Sequence, residues 1–466
     1  MQIPILNGIY ADAAPDFRTS YPKNLVPVPK QTGISAGYLR PADGVVEAGN
    51  GPGVGRGGIN WNGVLYRVMG TKLVYIAEDN TVTEIGDVGG TDRVTFDYGF
   101  TYLAIASNNN LFLYDGTTLT QVTDPDLGVV LDVVWVDGYY MTTDGEFLVI
   151  TDLADPFAVN PLKYGSSEAD PDPIEALLKL RNEVYALNRY TIEVFDNVGT
   201  TGFPFQRIAG AQIQKGAVGT HACCVFMDNI AFMGGGRNEA PSIFMGANGS
   251  TQKIATREIE QILATYTETQ LASAFLEERI DKAHQFLITH LPNHTLVFDG
   301  AATQAMGQPV WFTLSSTLTG DSQWKAQSVI WVYDKWQVYN PTNTQFGYLD
   351  DSISSHWGAD IGWEFGTQIT YNESNGAIFH QLELVALTGH VAADTSPTIW
   401  AQHSTDGETW SVEKPVRAGT LGQRAKRLVW LQQGYMNNWR IQRFRGTSDA
   451  HISISRLEAR LEPLAF

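Results

Sequence analysis

The residues with chemistry to offer are few and scattered. His290 and His294 flank a turn at Leu291–Asn293, with His284 upstream. Two histidines across a hairpin can share a metal, but a zinc site takes three or four ligands. No cysteine or acid pair stands at a matching spacing, and no His-Glu-x-x-His occurs, so no metal is expected. Gly53-Val54-Gly55-Arg56-Gly57-Gly58 fits a Gly-x-Gly-x-x-Gly spacing. A dinucleotide site needs a strand before that motif and a helix after it. Here a proline loop precedes it and the strand Ile59–Val68 follows, so a flexible loop is the expectation and no cofactor is implied. Ser404–Trp410 reads STDGETW, one residue short of an Asp-box turn and present once. It supports a hairpin in which Asp406 bonds the turn backbone. Asp97, Asp132 and Asp228 fall near expected inner strands and could meet in a funnel. A glycosidase needs two carboxylates at a defined separation, which sequence does not supply, and solvated surface is the default. No Gly-x-Ser-x-Gly elbow is present.

Whatever these residues do, the elements that position them are short strands. The 466 residues are 43% hydrophobic and 17% charged, against roughly 25% charged in an average globular domain. They include 45 glycines, 12 Trp, 19 Tyr and 21 Phe, a composition suited to strands joined by tight turns rather than to disorder or a helical bundle. The two cysteines, Cys223 and Cys224, are neighbours and read as reduced core thiols, not a disulfide scaffold. The segment MQIPILNGIYADAAPDF has no basic region and no long apolar stretch, so no signal peptide is expected. The most apolar run, Val129–Val136, is broken by Asp132 and is far short of the roughly 20 residues of a membrane helix, so no membrane insertion is expected.

The net charge of −19 is unevenly spread. Lys414–Phe466 carries 10 basic and 3 acidic residues, a net +7, which leaves −26 for residues 1–413. An acidic body disfavours wrapping nucleic acid, because phosphate binding needs Lys and Arg to displace counterions. A basic end on an acidic body suggests either two faces with different partners or an arginine-rich solvent face on the last sheet.

A two-strand unit recurs along the first 350 residues. Val64–Ile76 reads VLYRVMGTKLVYI, Tyr102–Tyr114 reads YLAIASNNNLFLY, and Tyr139–Ile150 reads YYMTTDGEFLVI. Val184–Phe195, Ile230–Met245, Phe286–Phe298 and Ile330–Asn340 follow, and the unit starts are spaced 38, 37, 45, 46, 56 and 44 residues apart. Each pairs two β-branched or aromatic runs around a turn. A further punctuation, as at Asp115-Gly116 and Asp299-Gly300, then starts another strand. Such meanders cannot bury both faces alone, and a period of roughly 40–50 residues is that of propeller blades. The fold class expected is all-β: a β-propeller of six or seven blades. Ala255–Lys282 breaks the pattern, with Ile259, Ile262, Leu263 and Tyr266 at helical spacing and Thr256 placed to cap, so a helix is inserted between blades there. After a polar boundary at Ser352–Asp360 come Trp363–Tyr371, Phe379–Leu387, Thr398–His403, Arg427–Leu431, Trp439–Arg445 and Ile452–Leu461, which suit a C-terminal β-sandwich. The expected division is 1–58 as an extended N-terminal arm or connector, 59–355 as the propeller and 360–466 as the sandwich.

Ordered blocks along the chain carry a resemblance: Gly37-Tyr38-Leu39-Arg40; Tyr66-Arg67-Val68 with Gly70 and Lys72-Leu73; Gln214-Lys215-Gly216; Ala240-Pro241-Ser242; Ile254-Ala255-Thr256; and His290-Leu291-Pro292-x-His294-x-Leu296-Val297-Phe298-Asp299. With Thr405-Asp406-Gly407 in the last domain, they resemble the packaged-DNA-stabilisation proteins of short-tailed bacteriophages, which form the tail hub. The resemblance implies a non-enzymatic virion protein, assembled in the host cytoplasm. It implies a homo-hexameric ring below the portal and its head-to-tail adaptor protein. Such a ring helps close the DNA channel, retains packaged DNA, and anchors tail spikes or fibres and the plugging needle, while DNA passes through the lumen without specific binding. The candidate interface residues are Arg40, Lys215, Arg424, Lys426, Arg427, Arg440 and Arg443. The alternative is a propeller glycosidase or glycan-binding module acting on host surface polysaccharide.

Overall fold

A computed structural model describes residues 1–11, 17–30, 37–373, 375–391 and 393–464. Seven antiparallel meanders succeed one another, and their inner strands are Gly55–Trp61, Thr95–Tyr98, Asp132–Val136, Ile174–Leu180, Cys223–Phe226 with Gly216–Ala217, Phe275–Asp281 and Gln327–Val332. We number the blades 1 to 7 in that order. Seven separate apolar clusters each join neighbouring blades around the ring. The cluster that closes it sets Leu65, Met69, Val74 and Ile76 of blade 1 against Val332, Tyr339 and Phe346 of blade 7. The turns are made by residues that tolerate positive φ. Asn108 and Asn109, at φ 50° and 61°, join the middle strands of blade 2.

Blade 7 lacks a fourth strand of its own. Its order is Gln327–Val332, Lys335–Tyr339, Gln345–Asp350 and then Gly44–Asn50, borrowed from the N-terminal region. The blade count of six or seven thus resolves to seven. The seventh repeat start, Ile330, is also out of phase with the others. In blades 1 to 6 the recognised hairpin is the second and third strands, whereas in blade 7 it is the first and second.

Three local expectations change. The stretch Gly53–Gly58 is not a flexible loop: Gly55–Trp61 is the inner strand of blade 1. The glycines permit close packing, since a Cβ at Gly55 would strike the Tyr339 ring and one at Gly53 the backbone of Gly70. The helical segment stops early. It consists of Arg257–Leu263 and Glu268–Ala272, and Phe275–Asp281 is already the inner strand of blade 6. Thr256 holds the N-cap position without a side-chain cap bond, its hydroxyl lying 2.5 Å from the Tyr21 hydroxyl instead. Asp299-Gly300 is not a turn into a strand but the start of a further helix, Gly300–Met306, with Asp299 accepting from the Ala302 N–H.

The C-terminal part is a two-sheet sandwich. One sheet runs Leu25–Pro29, Gly37–Pro41, Ile454–Pro463, Ala377–Ala386, Leu428–Leu431, with Gln2–Ile3 and Tyr435–Met436 alongside. The other runs Gly362–Gly366, Trp439–Thr447, Thr398–Ser404, Lys414–Arg417, with Thr370–Tyr371 alongside. Trp363, Phe365, Phe379, Trp430 and Phe444 fill the space between them. Residues 1–58, expected as an arm, therefore contribute strands to both parts of the molecule.

The seam between the parts is tied at Lys23 and Asn24. Lys23 exchanges backbone bonds with Glu364 of the sandwich (2.8 and 3.1 Å), and the Asn24 N–H donates to Thr313 of blade 6 (2.9 Å). The buried Asn24 amide donates to the carbonyls of Ser315 and Gly362 (2.9 and 2.7 Å) and accepts from the Ser315 N–H (2.9 Å). Asn24 sits at φ 54°, a backbone conformation asparagine tolerates better than most residues.

Asn24→Asp replaces two buried donors with an oxygen facing two carbonyls. The expected cost is roughly 3 kcal/mol or more, read as a lower melting temperature and earlier proteolytic cleavage between residues 350 and 362. Gly347→Ala sets a Cβ against the Val46 carbonyl in the closing strand. It is expected to destabilise by roughly 1–3 kcal/mol in chemical denaturation.

Candidate functional site

The inner-strand acids are placed by the pleat, which points alternate side chains toward the neighbouring blade. Asp97 of blade 2 accepts the Trp135 N–H of blade 3 at 2.5 Å. Asp132 of blade 3 accepts the Leu177 N–H of blade 4 at 2.8 Å, and Glu277 of blade 6 accepts the Val329 N–H of blade 7 at 2.7 Å. These carboxylates staple one inner strand to the next. Burial raises the Asp97 carboxyl above its ordinary range, and burial raises Asp132 to about 7 against the N–H bonds from Leu177 and Val133. Asp228 lies at the positive-φ turn between Cys223–Phe226 and Asn229–Gly235, away from those two.

The histidines are each engaged separately. His284 Nδ1 lies 2.5 Å from Asp299, His290 Nε2 lies 2.6 Å from Glu277, and His294 Nδ1 lies 2.5 Å from the Tyr266 hydroxyl. Burial lowers the His290 imidazole despite Glu277, and burial of Glu277 is outweighed by His290 and Arg93, which keep it a carboxylate. The near-Asp-box closes as a turn: Asp406 Oδ1 accepts from the N–H groups of Glu408 and Thr409 at 3.0 and 2.8 Å. Cys223 and Cys224 are both free thiols.

The seven candidate interface residues divide by what already holds them. Arg440 is buried, 1% exposed. It donates to Gln433 O at 2.5 Å and Gln442 Oε1 at 3.0 Å and lies 4.2 Å from the Phe379 ring centroid. Burial lowers its guanidinium to about 9. It braces the sandwich and presents no charge to a partner. Arg40 is likewise turned inward, 2.9 Å from Asp43, whose other oxygen pairs with Arg279 of blade 6. Burial alone would raise the Asp43 carboxyl, but Arg279 and then Arg40 pull it down to about 2. Lys215 pairs with Glu239 and lies 5.0 Å from the Phe244 ring centroid. Arg443 packs over Trp410 at 4.2 Å and lies 3.6 Å from Glu364. Arg427 is exposed but forked onto Glu383 at 2.7 and 2.5 Å. Among the described residues, Arg424 and Lys426 alone of the seven are exposed with no ion pair. They stand together on the loop before Leu428–Leu431 of the sandwich.

Sequence reasoning missed the Asp43–Arg279 pair and the Asn24 knot, whose members lie 236 and 291 or more positions apart. No local spacing signals such partners. The positive charge of the last 53 residues was legible, but which arginines face outward was not.

Residues 1–354 match the family described as Bacteriophage P22 Gp10, beta-propeller, and residues 362–462 match Bacteriophage P22 Gp10, beta-sandwich. The tail hub protein gp10 of Salmonella phage P22 is 29% identical over 491 aligned residues, covering 99% of each chain. Among solved structures, the WD40 domain of Neurospora crassa Pan2 is 10% identical, with 66% of this chain and 94% of that one covered at a TM-score of 0.42. PorZ of Porphyromonas gingivalis is also 10% identical, with 79% and 46% covered at a TM-score of 0.41. Those two likenesses are too distant to add to the strand order described above.

The Asp132 carboxyl binds its proton more tightly folded than unfolded. Its contribution to stability is whole below about pH 4 and is lost as pH rises through about 7. The melting-temperature difference between Asp132→Asn and the parent is therefore expected to move in the variant's favour between about pH 5 and pH 8, by differential scanning calorimetry.

Proposed function

The chain belongs to the bacteriophage P22 Gp10 family, and from that premise we propose that it is a structural tail hub of a short-tailed phage. In this reading it is a component of the virion and performs no catalysis. Copies form a hexameric ring below the portal and its adaptor. The ring helps close the channel, retains packaged DNA, and carries the spikes or fibres and the needle. The observation that carries the reading is that the likeness to a named tail hub runs through propeller and sandwich alike, almost end to end.

The physics of the chain supports a mechanical role. A ring built from one heterologous contact needs two complementary patches on each subunit. The sandwich offers a basic patch at Arg424 and Lys426, and the acidic remainder of the chain offers its complement. The double tie at Asn24 and Asp43 lets load pass between propeller and sandwich without a flexible linker. Acidic surface around a lumen would repel DNA and let it slide. The glycosidase alternative finds no support in the inner acids, because Asp97 and Asp132 are both committed to backbone donors of the next blade.

Negative-stain images of the purified protein mixed with portal–adaptor complex test this. A sixfold ring docked at the narrow end is expected. Arg424→Glu with Lys426→Glu is expected to reduce ring occupancy at least tenfold while leaving the melting temperature unchanged. Failure of the parent protein to dock, or turnover of host surface glycan by it, would overturn the reading.

A further inference from the structure

Each blade's inner strand begins on one face of the propeller, and the turns between second and third strands open on that same face. At its centre, between blades 1, 6 and 7, lies a cleft of about 660 Å³. Its apolar wall is Phe275, Leu291, Pro292, Tyr339 and Pro341, and Arg93 projects into it from the connection between blades 1 and 2.

Arg93 is held in place by an aromatic ring and a hydroxyl, and its charge also acts on the Glu277 carboxylate. Its guanidinium carbon lies 3.3 Å from the Phe275 ring centroid, and Nη1 donates to the Tyr339 hydroxyl at 3.0 Å. No ion pair to Arg93 occurs among the described residues. Two more arginines lie nearby and are committed inside the fold. Arg56 lines the cleft and spends its donors on the carbonyls of Asp92, Gly70 and Gly89 and on the Ser107 hydroxyl. Arg67 is fully buried 5.4 Å from the Tyr339 ring, with Nε and Nη1 unpartnered. His290, in the wall, also keeps Nδ1 unpartnered. Of the three, Arg93 is the guanidinium that stands at the cleft mouth with donors to spare.

We infer that this axial cleft is a docking site for an acidic, partly apolar peptide segment of a protein partner, which seats a carboxylate on Arg93 and an apolar side chain against the part-exposed Pro292 and Pro341. Charge complementarity selects the anion: a planar fork stacked on an aromatic ring is preorganised for a carboxylate. The apolar wall and the single unspent guanidinium select a peptide over a nucleic acid, whose many phosphates call for many Lys and Arg contacts. The mode is that of propeller faces in general only in its location; the residues that carry it are this chain's own. The inference does not depend on the tail-hub reading.

The probe is a fluorescein-labelled pentapeptide, Pro-Glu-Leu-Glu-Pro, titrated with the full-length protein and followed by anisotropy at low salt. Saturable binding is expected, absent for the same peptide with lysine in place of glutamate and weaker for labelled oligothymidylate. Arg93→Gln is expected to weaken it at least tenfold. Thr91→Glu, a change at an exposed rim position, does the same without touching the core, so it decides the matter should Arg93→Gln fail to fold. Lys426→Gln on the sandwich leaves binding unchanged. The inference is overturned by an absence of saturable binding, by equal binding of the lysine peptide, by tighter binding of oligothymidylate, or by indifference to both cleft substitutions.

Discussion

An unpaired strand edge inside a closed ring is the constraint from which the rest of this structure follows. Six blades are continuous in sequence, but the seventh has only three strands from its own stretch of chain. Its outer edge would expose the unpaired N–H and C=O groups of Gln345–Asp350, a template for foreign strands. Gly44–Asn50 satisfies that edge by antiparallel pairing. The start of the chain must therefore return to the end of the propeller. Having come there, it lies within reach of the sandwich that begins at residue 362. Leu25–Pro29 and Gly37–Pro41 add to a sandwich sheet, and Asn24 and Lys23 lie between that domain and blade 6. One topological requirement thus closes the toroid and fastens the second domain to it.

The same economy governs charge. A low proportion of charged residues leaves few to spare, and several of them work inside. Asp97, Asp132 and Glu277 join neighbouring inner strands through backbone N–H groups. Asp43 sits between Arg279 and Arg40, and a buried pair of this kind is costly to break from either side even where forming it gained little. Arg440 stands in the sandwich on hydrogen bonds and an aromatic face alone. The charges left outward include the loop bearing Arg424 and Lys426 and the cleft mouth around Arg93, beside other exposed basic residues such as Arg181, Lys335 and Arg417.

Much of the architecture was legible because it is written in short range. Alternation with period two gave the hairpins at Val64–Ile76 and Tyr102–Tyr114, and the repeat spacing gave the rosette. Most sandwich strands after residue 360 were visible for the same reason, but the short Lys414–Arg417 and Tyr435–Met436 were not, nor were Gln2–Ile3, Leu25–Pro29 and Gly37–Pro41, which come from the far end of the chain. The errors also have local causes. Phe275–Asp281 reads FLEERID, whose charged residues extend a helical pattern, yet it is the inner strand of blade 6, where Glu277 and Arg279 find buried partners. The glycines at 53–58 look like a loop, but they are small because Tyr339 and Gly70 press against them. The hairpin at Ile330 was real and only its place in the blade was misjudged, since its fourth strand lies nearly 300 positions away.

The sequence by itself determined that the chain is all-β, built of repeated meanders, with a basic final domain on an acidic body. Those are properties of composition and near-neighbour periodicity, which the backbone enforces residue by residue. Only the tertiary structure decided which arginines are buried and which face outward, that the N-terminal stretch closes blade 7, and that Arg93 meets Phe275 and Tyr339 at the axis. Such facts depend on contacts between residues hundreds of positions apart, and a pairing of that kind leaves no trace in the local pattern of a single chain.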